Sequence, residues 1–140
     1  MSFLGLDLGE KRIGVARSDE LNFMAHPVGF IERTSDVYVL QELKKLADEF
    51  DIEKIVVGLP KTMKGTMGTQ AEKALFFVEE FRKHVSCPIV TWDERLTSVQ
   101  AERVLIAQDI SRAKRKKKRD AIAAEIMLQS YLDFSNQKGV

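Results

Sequence analysis

Asp7, Glu94 and Asp120 are the residues whose type and setting suit metal-assisted phosphodiester chemistry. Asp7 lies inside the apolar stretch Phe3-Leu4-Gly5-Leu6-Asp7-Leu8-Gly9, and Glu94 closes the stretch Val90-Thr91-Trp92-Asp93-Glu94. Asp120 follows directly on residues 112–119, of which seven of eight are Lys or Arg. Carboxylates among apolar neighbours are costly unless something positive joins them. A divalent cation does this. Magnesium takes a few carboxylates together with waters and substrate phosphate oxygens, not a full protein cage. Two such ions can clamp the attacking and leaving oxygens of a phosphodiester. That chemistry needs no nucleophilic Ser or Cys, and no convincing triad is visible here.

Each acid also has an ordinary local reading. Side chains alternate along a strand, so Phe3, Gly5 and Asp7 share one face, and Gly5 leaves room above it for something bulky. Asp7 could equally end its strand by bonding the turn at Gly9. Asp120 shares its helical direction with Ala123, Ala124, Met127 and Tyr131, which sets it on an apolar face, whereas Glu125 points away and should be solvated. An Asp opening a helix would instead favour the helix dipole, by at most about 1 kcal/mol. Glu94 follows Asp93 at the C-terminal end of a strand, where α/β folds place ligands. Only one of this adjacent pair can face Asp7, and a surface cluster of exposed ion pairs is the alternative.

The basic residues suggest what the acids would act on. The run at 112–119 could be a solvated charged segment, but its place beside Asp120 favours contact with a phosphate backbone. Lys61 and Lys64 lie with two glycines in a loop over 60–69 that could close on the same strand or be plain surface. No P-loop, dinucleotide fingerprint or RNA-binding aromatic motif is present.

The elements that must position these groups follow from periodicity. Residues 2–8 and 12–18 read as a hairpin turning at Gly9-Glu10-Lys11. A third strand covers about 24–32, with Pro27 favouring a sheet edge. Thr34 or Ser35 caps a helix whose stripe is Val37, Leu40, Leu43, Ala47 and Phe50. Residues 54–58 form a short strand buried on both faces. Thr69 with Glu72 forms a capping box for a helix striped by Ala71, Ala74, Leu75, Val78 and Phe81. A strand at 88–92 follows, then a second capping box, Thr97 with Gln100, starting a helix to about 107. A last helix runs from about 119 to 134. The expected product is an α/β fold with a mixed five-stranded sheet: the first three strands are antiparallel, the later ones parallel through helical crossovers, and helices flank the sheet.

At 140 residues the chain suits one domain, 1–140, with a sizeable core. A net charge of +1 says nothing of partners in bulk, so the clustering at 112–119 carries the information. Cys87 is the sole cysteine, which excludes an internal disulfide and fits a reducing compartment. His26 and His84 lack the neighbours of a zinc site. No signal peptide and no apolar run near the ~18 residues of a membrane helix is visible. A soluble cytoplasmic protein without a membrane partner is expected.

Together the segments Gly5-Leu6-Asp7-Leu8-Gly9, Arg12-Ile13-Gly14-Val15-Ala16, Val56-Val57-Gly58-Leu59-Pro60, Asp93-Glu94-Arg95-Leu96-Thr97 and Asp120-Ala121-Ile122-Ala123-Ala124 resemble the YqgF/RuvX family. That family comprises pre-16S rRNA nucleases, also described as Holliday-junction-resolvase-like proteins. The resemblance spans nearly the whole chain. It implies an RNase H-like fold and a nuclease using Mg2+ or Mn2+ held by Asp7, Glu94 and Asp120. It further implies a bacterial cytoplasmic role in trimming the 5′ end of the small-subunit rRNA precursor. Arg12, Lys61, Lys64, Arg95, Arg115, Lys116, Lys117, Lys118 and Arg119 are the expected nucleic-acid contacts. Related resolvases carry an acid at the end of the fourth strand, where this chain has Gly58-Leu59-Pro60, so the burden shifts to Glu94 or Asp93.

Three other readings stay open. A resolvase of branched DNA in recombination or repair would use the same chemistry and, cutting two strands symmetrically, would be a two-fold dimer; the chain could be monomer or homodimer. A nucleotide-binding ATPase of the actin and sugar-kinase type also opens with Gly-x-Asp-x-Gly but needs two such domains. A non-catalytic nucleic-acid-binding factor would keep the basic run and tolerate loss of Asp7.

Overall fold

Short β-branched and aliphatic runs bounded by glycine and polar turns build the sheet. The computed structural model describes residues 1–59, 68–93 and 112–137. Five strands are present: β1 (Ser2–Leu8), β2 (Arg12–Ser18), β3 (Ala25–Glu32), β4 (Ile52–Leu59) and β5 (Ile89–Asp93). Among the described residues three helices join them: α1 (Asp36–Glu49), α2 (Thr69–Arg82) and α3 (Arg112–Gln137). The sheet order is β3-β2-β1-β4-β5. β1 pairs antiparallel with β2 and β2 with β3, while β1–β4 and β4–β5 are parallel. This is the expected mixed sheet, and β3 with its Pro27 is an edge strand.

Alternation divides the sheet into two layers. Leu4, Leu6, Ile13, Val15, Ile55 and Val57 bury one face together with Val39, Leu43, Val78 and Phe81 from α1 and α2. Gly5, Ala16 and Val56 carry the other face under α3, which contributes Ala124, Met127, Leu128 and Leu132. The bulky group above Gly5 is therefore Leu128. A Cβ on Gly5 would stand 2.9 Å from its Cβ. Gln129 ties α3 to the edge: its Oε1 accepts from the Ala25 N–H at 2.8 Å and its Nε2 donates to the Phe23 carbonyl at 2.8 Å.

Several local expectations are corrected. The last helix starts at Arg112, not near 119, so the basic run is helical and Asp120 lies in the helix interior and not at its first turn. Lys and Arg are good helix formers, and charge density alone does not break a helix. The Thr69–Glu72 capping box is not formed. Gly68 is the cap, without a side-chain bond, and its carbonyl accepts from the Glu72 N–H. Ser35, not Thr34, caps α1 by accepting from the Tyr38 N–H at 3.1 Å. In α1 the buried stripe runs through Val39 and Leu43, and Val37 is 65% exposed. β4 and β5 also extend past their expected ends. Most of the 60–69 loop, the Thr97–Gln100 capping box and the helix to about 107 lie outside the described residues.

Candidate nuclease centre

Register sets a glycine on either side of Asp7. Its partner on β2 is Gly14 and its partner on β4 is Gly58. Continuing outward, Gly14 pairs with Phe30 and Gly58 with Trp92. The row Phe30–Gly14–Asp7–Gly58–Trp92 thus crosses all five strands on the α3 face, with a glycine on each strand next to Asp7.

Asp120 is brought to the same place by α3. A Cβ on Gly14 would stand 2.0 Å from the Asp120 carbonyl oxygen, so helix and strand backbones touch there. Since Gly14 is the register partner of Asp7, this contact brings the α3 backbone at Asp120 to the strand position beside Asp7, although more than a hundred residues separate the two acids in sequence. Asp120 Oδ2 lies 3.0 Å from Arg12 Nε. The same Oδ2 is buried and accepts no hydrogen bond. The two facts agree if the Nε–H is misaligned, so that the contact is one of charge and not a directed bond. Arg12 also stacks on Phe30, its guanidinium carbon 5.4 Å from the ring centroid.

Asp93 stands on the other layer. Its register partner Leu59 packs with Ala71 and Ala74 of α2, whereas the preceding Trp92 packs against Tyr131 and Phe134 of α3, with ring centroids 5.5 and 5.1 Å away. Asp7 and Asp93 therefore belong to opposite faces of the sheet. Glu94, Arg95, Lys61 and Lys64 lie outside the described residues, and of Arg115, Lys116, Lys117, Lys118 and Arg119 only the helical backbone is described. Among the described residues no three His, Cys, Asp or Glu side chains form a metal-binding group. A cleft of about 780 Å³ lined by Arg33, Leu40, Phe77 and Phe81 lies on the α1–α2 layer, away from these carboxylates.

The pair nevertheless fits a divalent cation. Asp120 Oδ2 is a buried acceptor with the Arg12 charge beside it but no directed hydrogen bond, and glycines flank Asp7 on both neighbouring strands. Both donors are the hard oxygens that Mg2+ and Mn2+ prefer.

Sequence reasoning missed that Gly14 and Phe30 share a cross-sheet row with Asp7. The signal was available in the hairpin: once Asp7 is set opposite Gly14, the next strand's alternation brings an aromatic ring into the same row. It also misjudged Glu125. That side chain is half-buried, and burial raises its pKa, with His26 opposing weakly. A carboxyl whose folded pKa is raised loses stability as pH climbs from its unfolded to its folded value. Glu125→Gln is therefore expected to melt higher than wild type at neutral pH, and the gain should shrink as pH falls below the carboxylate range. Thermal melts across pH 4–8 would refute this if the difference stayed constant.

Known proteins resemble the chain in sequence and in fold. A family profile described as RuvX, Holliday junction resolvase, matches residues 1–134. A Clostridium botulinum protein named "Putative pre-16S rRNA nuclease" is 48% identical over 133 residues, covering 95% of this chain and 97% of that protein. Among solved structures, the fowlpox virus Holliday junction resolvase superposes with a TM-score of 0.62 at 12% identity, covering 96% of this chain and 99% of the resolvase. Thermus thermophilus RuvC in complex with a Holliday junction substrate gives 0.56 at 14% identity, with 94% and 96% covered. At such identities the two structures speak for the fold, which is RNase H-like.

Proposed function

The chain belongs to the RuvX family, and from that premise we propose that it is a metal-dependent nuclease acting in 5′-end processing of pre-16S rRNA during ribosome biogenesis. It is a hydrolase of phosphodiester bonds. The observation that supports this reading is the approach of α3 at Asp120 to Gly14, the register partner of Asp7, with Asp120 Oδ2 buried beside Arg12 and without a directed hydrogen bond. Asp7, Asp120 and Glu94 would hold Mg2+ or Mn2+, which when bound supplies an activated water and neutralises charge on the scissile phosphate.

The protein's own residues do the rest. Two carboxylates near one another favour a cation and repel a bare phosphate, so substrate is held by the basic side chains. Arg12 lies beside Asp120, charged and 37% exposed, within reach of a phosphate bound there. The basic run lies on the same helix as Asp120, within about two turns of it, and would track the backbone without reading bases. Lys61, Lys64 and Arg95 complete the proposed contact set. One domain over 1–140 acting in the cytoplasm, as monomer or homodimer, suits this role. Among the described residues no helix is long and apolar enough to cross a membrane.

A second reading, resolution of branched DNA, is favoured by the family description itself. Purified protein with Mg2+ is therefore to be tested side by side on precursor rRNA, single-stranded RNA and four-way DNA junctions. Faster cleavage of the precursor than of the junction supports rRNA processing, and the opposite order supports the resolvase. In the same assay Glu94→Gln is expected to cost several orders of magnitude in rate and Asp93→Asn far less, because Asp93 belongs to the other face. The reverse ranking would remove Glu94 from the site.

A further inference from the structure

Phe30 is a large apolar side chain left 44% exposed on the face that carries the carboxylates. It sits two strands from Asp7 in the same cross-sheet row, with only Gly14 between. Strands lie about 4.8 Å apart, so the ring is roughly 10 Å from Asp7. Ile31, the next residue, turns its side chain into the core under α1 and α2, so Phe30 faces the opposite side of the sheet and stays outside that core. Among the described residues the ring carries the Arg12 guanidinium, which also pairs with Asp120. The ring thus continues a chain of contacts that begins at the carboxylates: Asp120, Arg12, Phe30.

We propose that Phe30 is a stacking platform for an unpaired nucleobase of the RNA strand next to the bond being cut, and that it makes the centre selective for single-stranded over paired nucleotides. This rests on the nuclease reading above and specifies its substrate. A phosphate at the carboxylates with Arg12 beside it leaves its attached nucleoside over β2 and β3, where the exposed ring is the available apolar surface. Every base has a π-face, so such a platform tolerates sequence, in keeping with basic residues that read only charge. A base inside an A-form helix is already stacked and paired, so it reaches the ring only by leaving the helix. The competing role for Phe30 is to hold Arg12 in place without touching substrate.

The two roles separate on RNA lacking one base. Wild type, Phe30→Ala and Phe30→Trp are compared on single-stranded RNA oligonucleotides with Mg2+, one abasic residue being walked through the positions flanking the mapped cleavage site. On intact RNA, Phe30→Ala should lower kcat/KM by roughly 5- to 100-fold and Phe30→Trp should retain activity. At one abasic position wild type should fall to the level of Phe30→Ala, the two becoming equal. A Phe30→Ala deficit that is the same at every abasic position would overturn the platform and leave Phe30 as a support for Arg12. So would a Phe30→Trp variant as impaired as Phe30→Ala. If wild type cuts no nucleic acid at all, the nuclease reading falls and takes the platform with it, an outcome distinct from cleavage with a uniform deficit.

Discussion

Asp7→Asn is expected to abolish cleavage by several orders of magnitude while leaving the fold intact. The substitution is close to isosteric, and the row position between Gly14 and Gly58 gives the new amide room. Because the change in shape is so small, the metal-free variant should remain folded, and its own melting temperature is the baseline for metal addition. Its response to metal should differ. A ligand that binds only the folded state stabilises it by about 2.7 kcal/mol at a hundredfold excess over Kd. Mg2+ or Mn2+ should therefore raise the wild-type melting temperature and leave that of Asp7→Asn nearly unmoved. Asp120→Asn should behave alike toward metal, although it also weakens the ion pair with Arg12. Identical metal responses in wild type and Asp7→Asn would show that the cation site is elsewhere. Cleavage and melting are independent readouts, so loss of rate without loss of the metal-induced shift would assign Asp7 a role other than holding the ion.

How far the fold could be read in advance depended on how local its causes are. The hairpin of β1 and β2 and the edge strand β3 follow from period-two alternation, the turn at Gly9 and Pro27, all short-range signals. The start of α3 did not, because a dense Lys/Arg run looks like a solvated segment although its residues favour helix. The Thr69 cap failed for a similar reason: a cap is decided by which residue leaves the helical conformation, and that residue is Gly68. Val37 and Val39 were indistinguishable by spacing alone, and only the angle of α1 over the sheet chooses Val39. Within the candidate site, Asp7 was legible as an acid in a strand with glycine on its face. The approach of α3 at Asp120 to the neighbouring Gly14 was not, since that depends on where α3 crosses β2. The separation of Asp93 from the site lies between these cases: alternation sends adjacent residues to opposite faces, but naming the face needed the packing of Trp92 on Tyr131 and of Leu59 on α2.

That crossing point makes Gly14 the most sensitive position outside the acids. Gly14→Ala would put a methyl group 2.0 Å from the Asp120 carbonyl oxygen and 2.6 Å from its carbonyl carbon. Both are backbone atoms in the interior of a long helix, so no rotamer change relieves the clash. The helix must lift from β2 or the strand must bend. Overpacking typically costs about 1–3 kcal/mol and occasionally more, and a backbone-to-backbone clash belongs at the upper end or beyond. Lifting α3 also loosens Ala124, Met127 and Leu128 from the sheet and carries Asp120 away from Asp7. A misplacement of about 1 Å can cost on the order of 10²-fold in rate. Gly5→Ala is the matched control, since its methyl would meet the Leu128 side chain at 2.9 Å, a contact that side-chain and helix adjustment can share. Gly14→Ala should therefore melt well below Gly5→Ala, cleave at least about a hundredfold more slowly than wild type, and lose most of the metal-induced rise in melting temperature. Melts with and without Mg2+ on the two variants check this directly. If Gly14→Ala is as stable as Gly5→Ala and still responds to metal like wild type, α3 does not hold Asp120 against β2 as described, and the two carboxylates do not form one site.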